Sequence, residues 1–457
     1  MERTAPFELK ALSRDWIVGT SGKAFLQRVH RRLAQIDERR IAAHSRGVLI
    51  AERDPVGFAA AFFAATYRRV PVILANPKWG KLEWAEVGEL VRPALIFGNV
   101  PLCTDGRKKV SHPRPATILI PTGGTTGGVR LAVHRWETLE AAVEGLLTFI
   151  GPGPVNNCCV LPLYHVSGLM QLMRSFLTEG RIAFPAFSDL QAGRFPVFPP
   201  ATMCLSLVPT QLQRLIAQRR IGDKLSSARA IFVGGAAVPE TTLQRARELK
   251  VPVVPTYGMT ETAAMVSALP PDEFLAGITN AGRPLGHARI DILCPDGLTC
   301  PVEHSGRIRV SGRSLFKGYH GKIGRNAKEP FLTNDEGYID SVGRLHIVGR
   351  ADRIIISGGE KIDPTEIERV LLQTGGIRHA LVVGMPDPDW GQQVVAFYVA
   401  AGIENEMVRW EKEIRSELSH YKVPKVMMRV PRLPLDGRGK VDHRRIEALL
   451  AKRVAAG

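Results

Sequence analysis

The stretch Pro121 to Arg130, PTGGTTGGVR, packs four glycines and three threonines into ten positions directly after the apolar run ATILI. Glycines let the backbone turn tightly and bring its N–H groups close to an anion, and threonine hydroxyls add further donors. The chemistry open to such a loop is to cradle a phosphate through Thr122, Gly123, Gly124, Thr125, Thr126 and Gly127. It is not a Walker loop: Gly123 and Gly128 have the right separation, but Val129 and Arg130 stand where a lysine and a hydroxyl residue are required. Taken alone, a small polar loop also reads as a plain hairpin turn.

Other stretches narrow the choice. In VPTYGMTETAAM, Val254 to Met265, Thr260 and Glu261 stand side by side behind Tyr257 and Gly258. A carboxylate beside a hydroxyl can hold a hard cation that bridges phosphate oxygens, although the same residues also suit a turn carrying an exposed acid. Asp335, in TND, can accept from ribose hydroxyls, and Arg350 at a strand end can hold phosphate or ribose. Lys440 lies in GRGK, which by itself is an ordinary surface lysine. His165 in PLYHVSG is either a satisfied structural histidine or a site residue. Together and in this order, the segments are harder to dismiss than any one of them.

These side chains need a scaffold. Short runs rich in Val and Ile, such as GVLIAE, VPVILAN, TILIP and RAIFVGG, end at Gly, Pro or Asn and alternate with helical patterns. In WETLEAAVEGLLTFIG, for example, Leu139, Val143, Leu146, Leu147 and Ile150 recur at helical spacing. Alternating strands and helices predict an α/β layered domain. From about residue 286 the texture turns β-rich, with ARIDILCPDG, GRIRVSG and GRLHIVGR. Beyond residues 349 to 353 comes a small α+β domain, whose first helix is signed by Asp363 as N-cap, Pro364 at the first position and Glu366 completing a capping box. A second helix follows at 407 to 419, with Met407, Trp410, Ile414 and Leu418 on one face. The predicted division is 1–349 and 350–457.

At 457 residues, with 45% hydrophobic and 23% charged residues, the composition is that of a multidomain globular protein and excludes a disordered chain. Lys and Arg exceed Asp and Glu by 17, but they are scattered, which predicts a solvated basic surface that draws in polyanionic small molecules rather than a nucleic-acid site. Six cysteines without a CxxC predict neither a zinc site nor a disulfide framework, and a reducing compartment. No apolar run reaches membrane-span length and no signal-peptide core precedes the first charges, so no membrane insertion and a cytoplasmic location are expected.

The ordered set PTGGTTGG, PLYHVSG, VGGAAVP, TYGMTE, TND, GRADRIIISGGEKIDPTEIE and GRGK, spanning about residues 118 to 445, resembles the adenylate-forming superfamily of acyl-CoA synthetases, peptide-synthetase adenylation domains and luciferases. The resemblance implies a large N-terminal α/β domain, a small mobile C-terminal domain, and ATP, Mg²⁺ and coenzyme A as cofactor and co-substrates. The loop at 122–127 would wrap the β- and γ-phosphates, with Arg130 beside it. Gly235, Ala236, Ala237, Tyr257 and Gly258 would frame adenine and the acyl group, Thr260 would touch the α-phosphate, Glu261 would hold the metal, and Asp335 and Arg350 would bind the nucleotide. His165, Ser167, Gly168 and Gly234 would line the acid pocket. Asp352 would be the hinge, Lys440 would contact carboxylate and α-phosphate during adenylation, and the turn Gly358, Gly359 and Glu360 would face the thiol of coenzyme A. The chain departs from the family at the phosphate loop, where Gly123, Val129, Arg130 and Leu131 replace a hydroxyl residue and a proline–lysine–glycine run; Arg130 keeps the charge but not the shape of the lysine.

NPKWGKLEW, GGTTGGVRLAVHRWETL and LPLYHVSGLMQLMRSF are similar to o-succinylbenzoate–CoA ligases, which implies activation of a succinyl carboxylate on the route to menaquinone or phylloquinone. Such an acid carries a second carboxylate, for which Arg174 is the candidate cation, its plain alternative being a helix-surface arginine. Other readings stay open at this stage: another small aromatic acid, transfer to a carrier protein, or an adenylate-binding protein without catalysis. A small-molecule carboxylate, ATP and coenzyme A are the expected partners, and a homodimer is compatible with them.

Overall fold

The computed structural model describes residues 5–41, 46–79, 81–101, 110–123, 129–199, 201–235, 237–322, 329–350, 353, 355–357, 360–387, 391–401, 407–418, 422–436 and 441–454. Three short apolar runs, β1 (Val48–Ile50), β2 (Val72–Leu74) and β3 (Leu95–Phe97), join β4 (Ile118–Gly123) in parallel pairing, and β5 (Val129–His134) turns back antiparallel on β4. The order is β3-β1-β2-β4-β5. The runs VLI and VIL are buried at every residue, as strands covered on both faces must be.

The helices that accompany these strands along the chain are α1 (Gly22–Glu38), α2 (Pro55–Tyr67), α3 (Lys81–Leu90), α4 (Trp136–Ile150) and α5 (Val166–Leu177). Helix α2 starts where Asp54 accepts from the N–H groups of Val56 and Gly57, with Pro55 at its first position. Every residue from Gly57 to Thr66 is buried, so this helix is packed all round rather than along one stripe.

The second sheet has the order β12-β11-β10-β9-β8-β6-β7, built from β6 (Asn156–Cys158), β7 (Ile182–Ala183), β8 (Met203–Leu207), β9 (Ala230–Val233), β10 (Val253–Met259), β11 (Ala264–Ala268) and β12 (Arg283–Pro284). Strands β6 to β10 pair in parallel, while β11 and β12 are antiparallel additions. The expected β-rich region is a four-stranded sheet in chain order: β13 (Ala288–Leu293), β14 (Gly306–Gly312), β15 (Phe331–Ile339) and β16 (Leu345–Arg350). The fold is α/β with a large N-terminal part and a small C-terminal α+β part, as the alternating pattern predicts.

The chain divides into two compact units, one of residues 1–333 with 338–346, the other of 334–337 with 347–457. In the second unit, β17 (Ile355–Ser357), β18 (Glu360–Ile362), β19 (Ile377–Asp387), β20 (Gly391–Ala400) and β21 (Val426–Arg429) form a sheet in the order β18-β17-β20-β19, with β21 on β20. Asp363 caps the helix Pro364–Gln373 by accepting from Thr365 N–H. Glu366 does not complete the expected capping box; its carboxylate binds the Lys422 ammonium at 2.7 Å instead, a charged partner that a backbone N–H does not match. Trp410, Ile414 and Leu418 are buried together as the helical pattern at 407–419 predicts.

One cysteine expectation is corrected. Cys294 and Cys300 form a disulfide across the turn that follows β13, their Cα atoms 5.1 Å apart. The pair is brought together by the hairpin, in which Cys294 N–H donates to Leu298, and not by any recognisable spacing. Cys158, Cys159 and Cys204 are free and buried.

Candidate active site

The glycine–threonine stretch is the tip of the β4–β5 hairpin: Thr122 pairs with Arg130 and Gly123 with Val129. Gly124, Thr125, Thr126 and Gly127 lie outside the described residues, so only the base of the loop is on view. That base is fixed from outside, because Glu86 on α3 accepts the N–H of Val129 at 2.9 Å. The guanidinium of Arg130 stacks over the ring of Tyr319, 4.5 Å from its centroid, and the Tyr319 hydroxyl donates to Glu261 Oε1 at 2.5 Å. Burial and the Glu261 carboxylate push the Tyr319 hydroxyl above its ordinary pKa, so it remains a donor.

Glu261 is 5% exposed, which rules out a turn carrying an exposed acid. It sits in a single 3₁₀ turn, Thr260–Thr262, closed by the Thr262 hydroxyl, which accepts from Met259 N–H and donates to the Ala264 carbonyl at 2.6 Å. Ala263 and Ala264 follow with φ of 53° and 77°, two consecutive non-glycine residues in the left-handed region, where backbone strain is held by the surroundings. Beneath the turn, His134 is fully buried and donates from Nε2 to the Thr260 carbonyl at 2.7 Å, with Nδ1 3.1 Å from the Thr138 hydroxyl. Burial lowers its pKa to about 4 and keeps the ring neutral. Tyr257 precedes a β-bulge at Gly258 and packs with Ile290, Ile308 and Val310 of the β-rich sheet. A Cβ at Gly258 would lie 2.0 Å from the Ala264 carbonyl oxygen, so the close strand approach requires glycine.

Among the described residues no three His, Cys, Asp or Glu side chains converge as a metal site. With Tyr319 committed to Oε1, a divalent cation would take Glu261 as its protein ligand and complete its shell from phosphate oxygens and water. That is how magnesium is commonly held beside a nucleotide, so the residues fit the ion.

Gly234 and Gly235 follow β9 directly, and Gly235 has φ of +85° with open space around it; Ala237 is exposed, and Ala236 lies outside the described residues. His165 occupies the N-cap position of α5, half-buried, its ring 4.6 Å from that of Tyr164. Ser167, Gln171 and Arg174 share one stripe of α5, and the Gln171 amide donates to the Ser167 carbonyl. Arg174 is not a surface arginine: it is 3% exposed, its guanidinium lies 5.3 Å over the Phe232 ring two residues before Gly234, and Nε and Nη1 have no hydrogen-bond partner among the described residues. Burial pushes its pKa down to about 10. Gly168, on the next stripe, is buried in the first turn.

The remaining candidates are in the second unit. Asp335 is buried on β15, Arg350 ends β16, and Glu360 opens β18, where it pairs with Ser357 of β17. Gly358, Gly359, Asp352 and Lys440 lie outside the described residues. The structure adds Tyr319 and His134 to the site. Neither is legible from local pattern, since their partners are 58 and 126 residues distant.

Residues 105–320 match the AMP-binding enzyme family and residues 366–440 the AMP-binding enzyme C-terminal domain. The 2-succinylbenzoate–CoA ligase of Enterococcus faecalis is 32% identical over 341 residues, 71% of this chain and 67% of that one. Its counterpart from Bacillus mycoides is 32% identical over 345 residues, 73% of this chain and 70% of that one. The fold is shared with the o-succinylbenzoate coenzyme A synthetase (MenE) of Bacillus subtilis, solved with its acyl-adenylate intermediate, at a TM-score of 0.79, 24% identity and 93% coverage of each chain. It is shared too with the amide bond synthetase McbA of Marinactinospora thermotolerans, at a TM-score of 0.75, 21% identity and coverage of 96% and 99%.

Proposed function

Because the chain belongs to the family of AMP-binding enzymes, we propose that it is an AMP-forming acid–thiol ligase whose acid is 2-succinylbenzoate. A carboxylate oxygen of the acid attacks the α-phosphorus of ATP and pyrophosphate leaves; the thiolate of coenzyme A then attacks the acyl carbon and AMP leaves. The first step brings two anions together, so its barrier falls where fixed positive charge and donors meet the phosphates. Magnesium, when bound with the nucleotide, supplies charge neutralisation at the phosphates. The chain supplies Glu261 to hold it, the N–H groups and hydroxyls of the 122–127 loop, and Arg130. In this reading residues 1–349 bind ATP and the acid, Asp335 and Arg350 hold the nucleotide, and residues 350–457 deliver first Lys440 and then the turn at 358–360.

The observation that carries the choice of acid is Arg174. A buried guanidinium with two unpartnered donor nitrogens is costly unless an anion completes it. It lies on the stripe of Ser167 and over the ring of Phe232, a residue of β9, the strand that Gly234 and Gly235 follow in the chain. A monocarboxylic acid spends its only carboxylate on adenylation, whereas 2-succinylbenzoate retains a second for this cation. No described helix is long and apolar enough to cross a membrane, and the reading puts the reaction in the cytoplasm, where ATP and coenzyme A are found.

The test is carboxylate-dependent pyrophosphate release with Mg-ATP over 2-succinylbenzoate, benzoate, coumarate and medium-chain fatty acids, with and without coenzyme A. Selective conversion of 2-succinylbenzoate to its thioester is expected. Turnover of another acid in its place overturns the substrate, and nucleotide binding without turnover of any acid overturns the enzyme.

A further inference from the structure

The segment 316–320 is clamped on two sides. Phe316 N–H donates to the Glu261 carbonyl at 2.8 Å, while Lys317 N–H to Val133, Val133 N–H to Gly318 and His320 N–H to Leu131 zip the same segment onto β5 at 2.7 to 2.9 Å. Tyr319 therefore has little freedom of its own: its backbone bridges Ala132, and its ring lies edge-on to Phe316 with centroids 5.0 Å apart. From that fixed position one face of the ring carries Arg130 and the hydroxyl reaches Glu261. The two charged groups that must meet the same triphosphate, one on the phosphate-loop strand and one on the TET turn, are thus referenced to a single side chain.

We infer that Tyr319 is a positioning residue that holds the Glu261 carboxylate and the Arg130 guanidinium in register, so that metal and phosphates are received together. The inference rests on the reading of Glu261 as the metal-holding carboxylate. A buried carboxylate with one oxygen tied by a hydroxyl keeps one rotamer and presents its other oxygen in a fixed direction. An arginine held by a ring face keeps its N–H edge for an anion; its Nε is buried without a partner among the described residues.

Tyr319→Phe removes the hydroxyl and keeps the ring. Binding of Mn²⁺ in the presence of ATP, followed by electron paramagnetic resonance, is expected to weaken about tenfold, the size of one charge-assisted hydrogen bond. The Mg²⁺ concentration for half-maximal pyrophosphate release should rise by the same factor, with KM for the acid unchanged, a split that loss of packing alone would not produce. The second arm is Arg130→Lys, measured with and without Tyr319→Phe: its effect on Mn²⁺–ATP binding should be smaller in the Tyr319→Phe background than in the wild-type background, because the two groups act as one unit. Equal Mn²⁺ affinity in wild type and Tyr319→Phe, or additive effects of the two substitutions, overturns the inference. Failure of the wild-type protein to bind Mn²⁺ with ATP would instead overturn the reading of Glu261.

Discussion

Nε2 of His134 lies 2.7 Å from the carbonyl oxygen of Thr260, so the last residue of β5 supports the turn that carries Glu261 from below. A carbonyl only accepts, which fixes a proton on Nε2. Its pKa falls from 6.5 to about 4 because burial disfavours the imidazolium.

The pH consequence has a definite sign. Between pH 6.5 and about 4 the unfolded chain binds a proton at His134 that the folded chain does not, so stability falls as pH falls. The contribution is fully present above 6.5 and lost by about 4, roughly 3 kcal/mol for a shift of this size. His287, also lowered to about 4, adds to the same trend, so the test is a difference. Urea unfolding near neutral pH and again at about pH 4.5 should show a smaller acid loss in His134→Gln than in wild type, by roughly that amount. Equal acid losses in the two proteins would contradict the neutral, proton-excluding role.

The layered fold and the site segments were readable because their signals are local: short β-branched runs, helical spacing, and hydroxyl, glycine and acid residues in a fixed order. What was not readable depends on long-range closure. Tyr319 acquires its role only when the strap at 316–320 zips onto β5, and Arg174 becomes buried only when α5 packs over Phe232. The Cys294–Cys300 bond needs the geometry of one hairpin, which spacing alone does not reveal. Glu366 matched a local capping rule and was taken instead by Lys422, 56 residues away, a case of tertiary charge overriding sequence-adjacent chemistry.

Arg174 gives a prediction in which stability and activity move differently. Arg174→Met keeps most of the volume and removes a buried cation whose Nε and Nη1 are unpaired. Thermal stability of the ligand-free protein should hold or rise, because no uncompensated charge remains inside. The kcat/KM for 2-succinylbenzoate should fall by about a hundredfold, the worth of hydrogen bonds to a charged group. The same acid without its ring carboxylate, 3-benzoylpropionate, should be turned over by wild type and variant alike. A parallel loss for both acids would show that Arg174 shapes the pocket without reading the carboxylate.

The last prediction separates the two half-reactions. In the proposed function Lys440 contacts the attacking carboxylate and the α-phosphate, so it has work to do only while the phosphoryl group is in transfer. Lys440→Ala should lower acid-dependent pyrophosphate release by about a hundredfold or more, as loss of a preorganised charge at the transition state does. When the acyl-adenylate is supplied ready-made, the thioester with coenzyme A should form at the wild-type rate, since that step breaks the bond from acyl carbon to phosphate oxygen and needs no new bond at phosphorus. The comparison is a rapid-quench measurement of both steps on one preparation. Equal loss in both would make the lysine a structural element of the small domain, and an unimpaired first step would move the adenylation charge to Arg130.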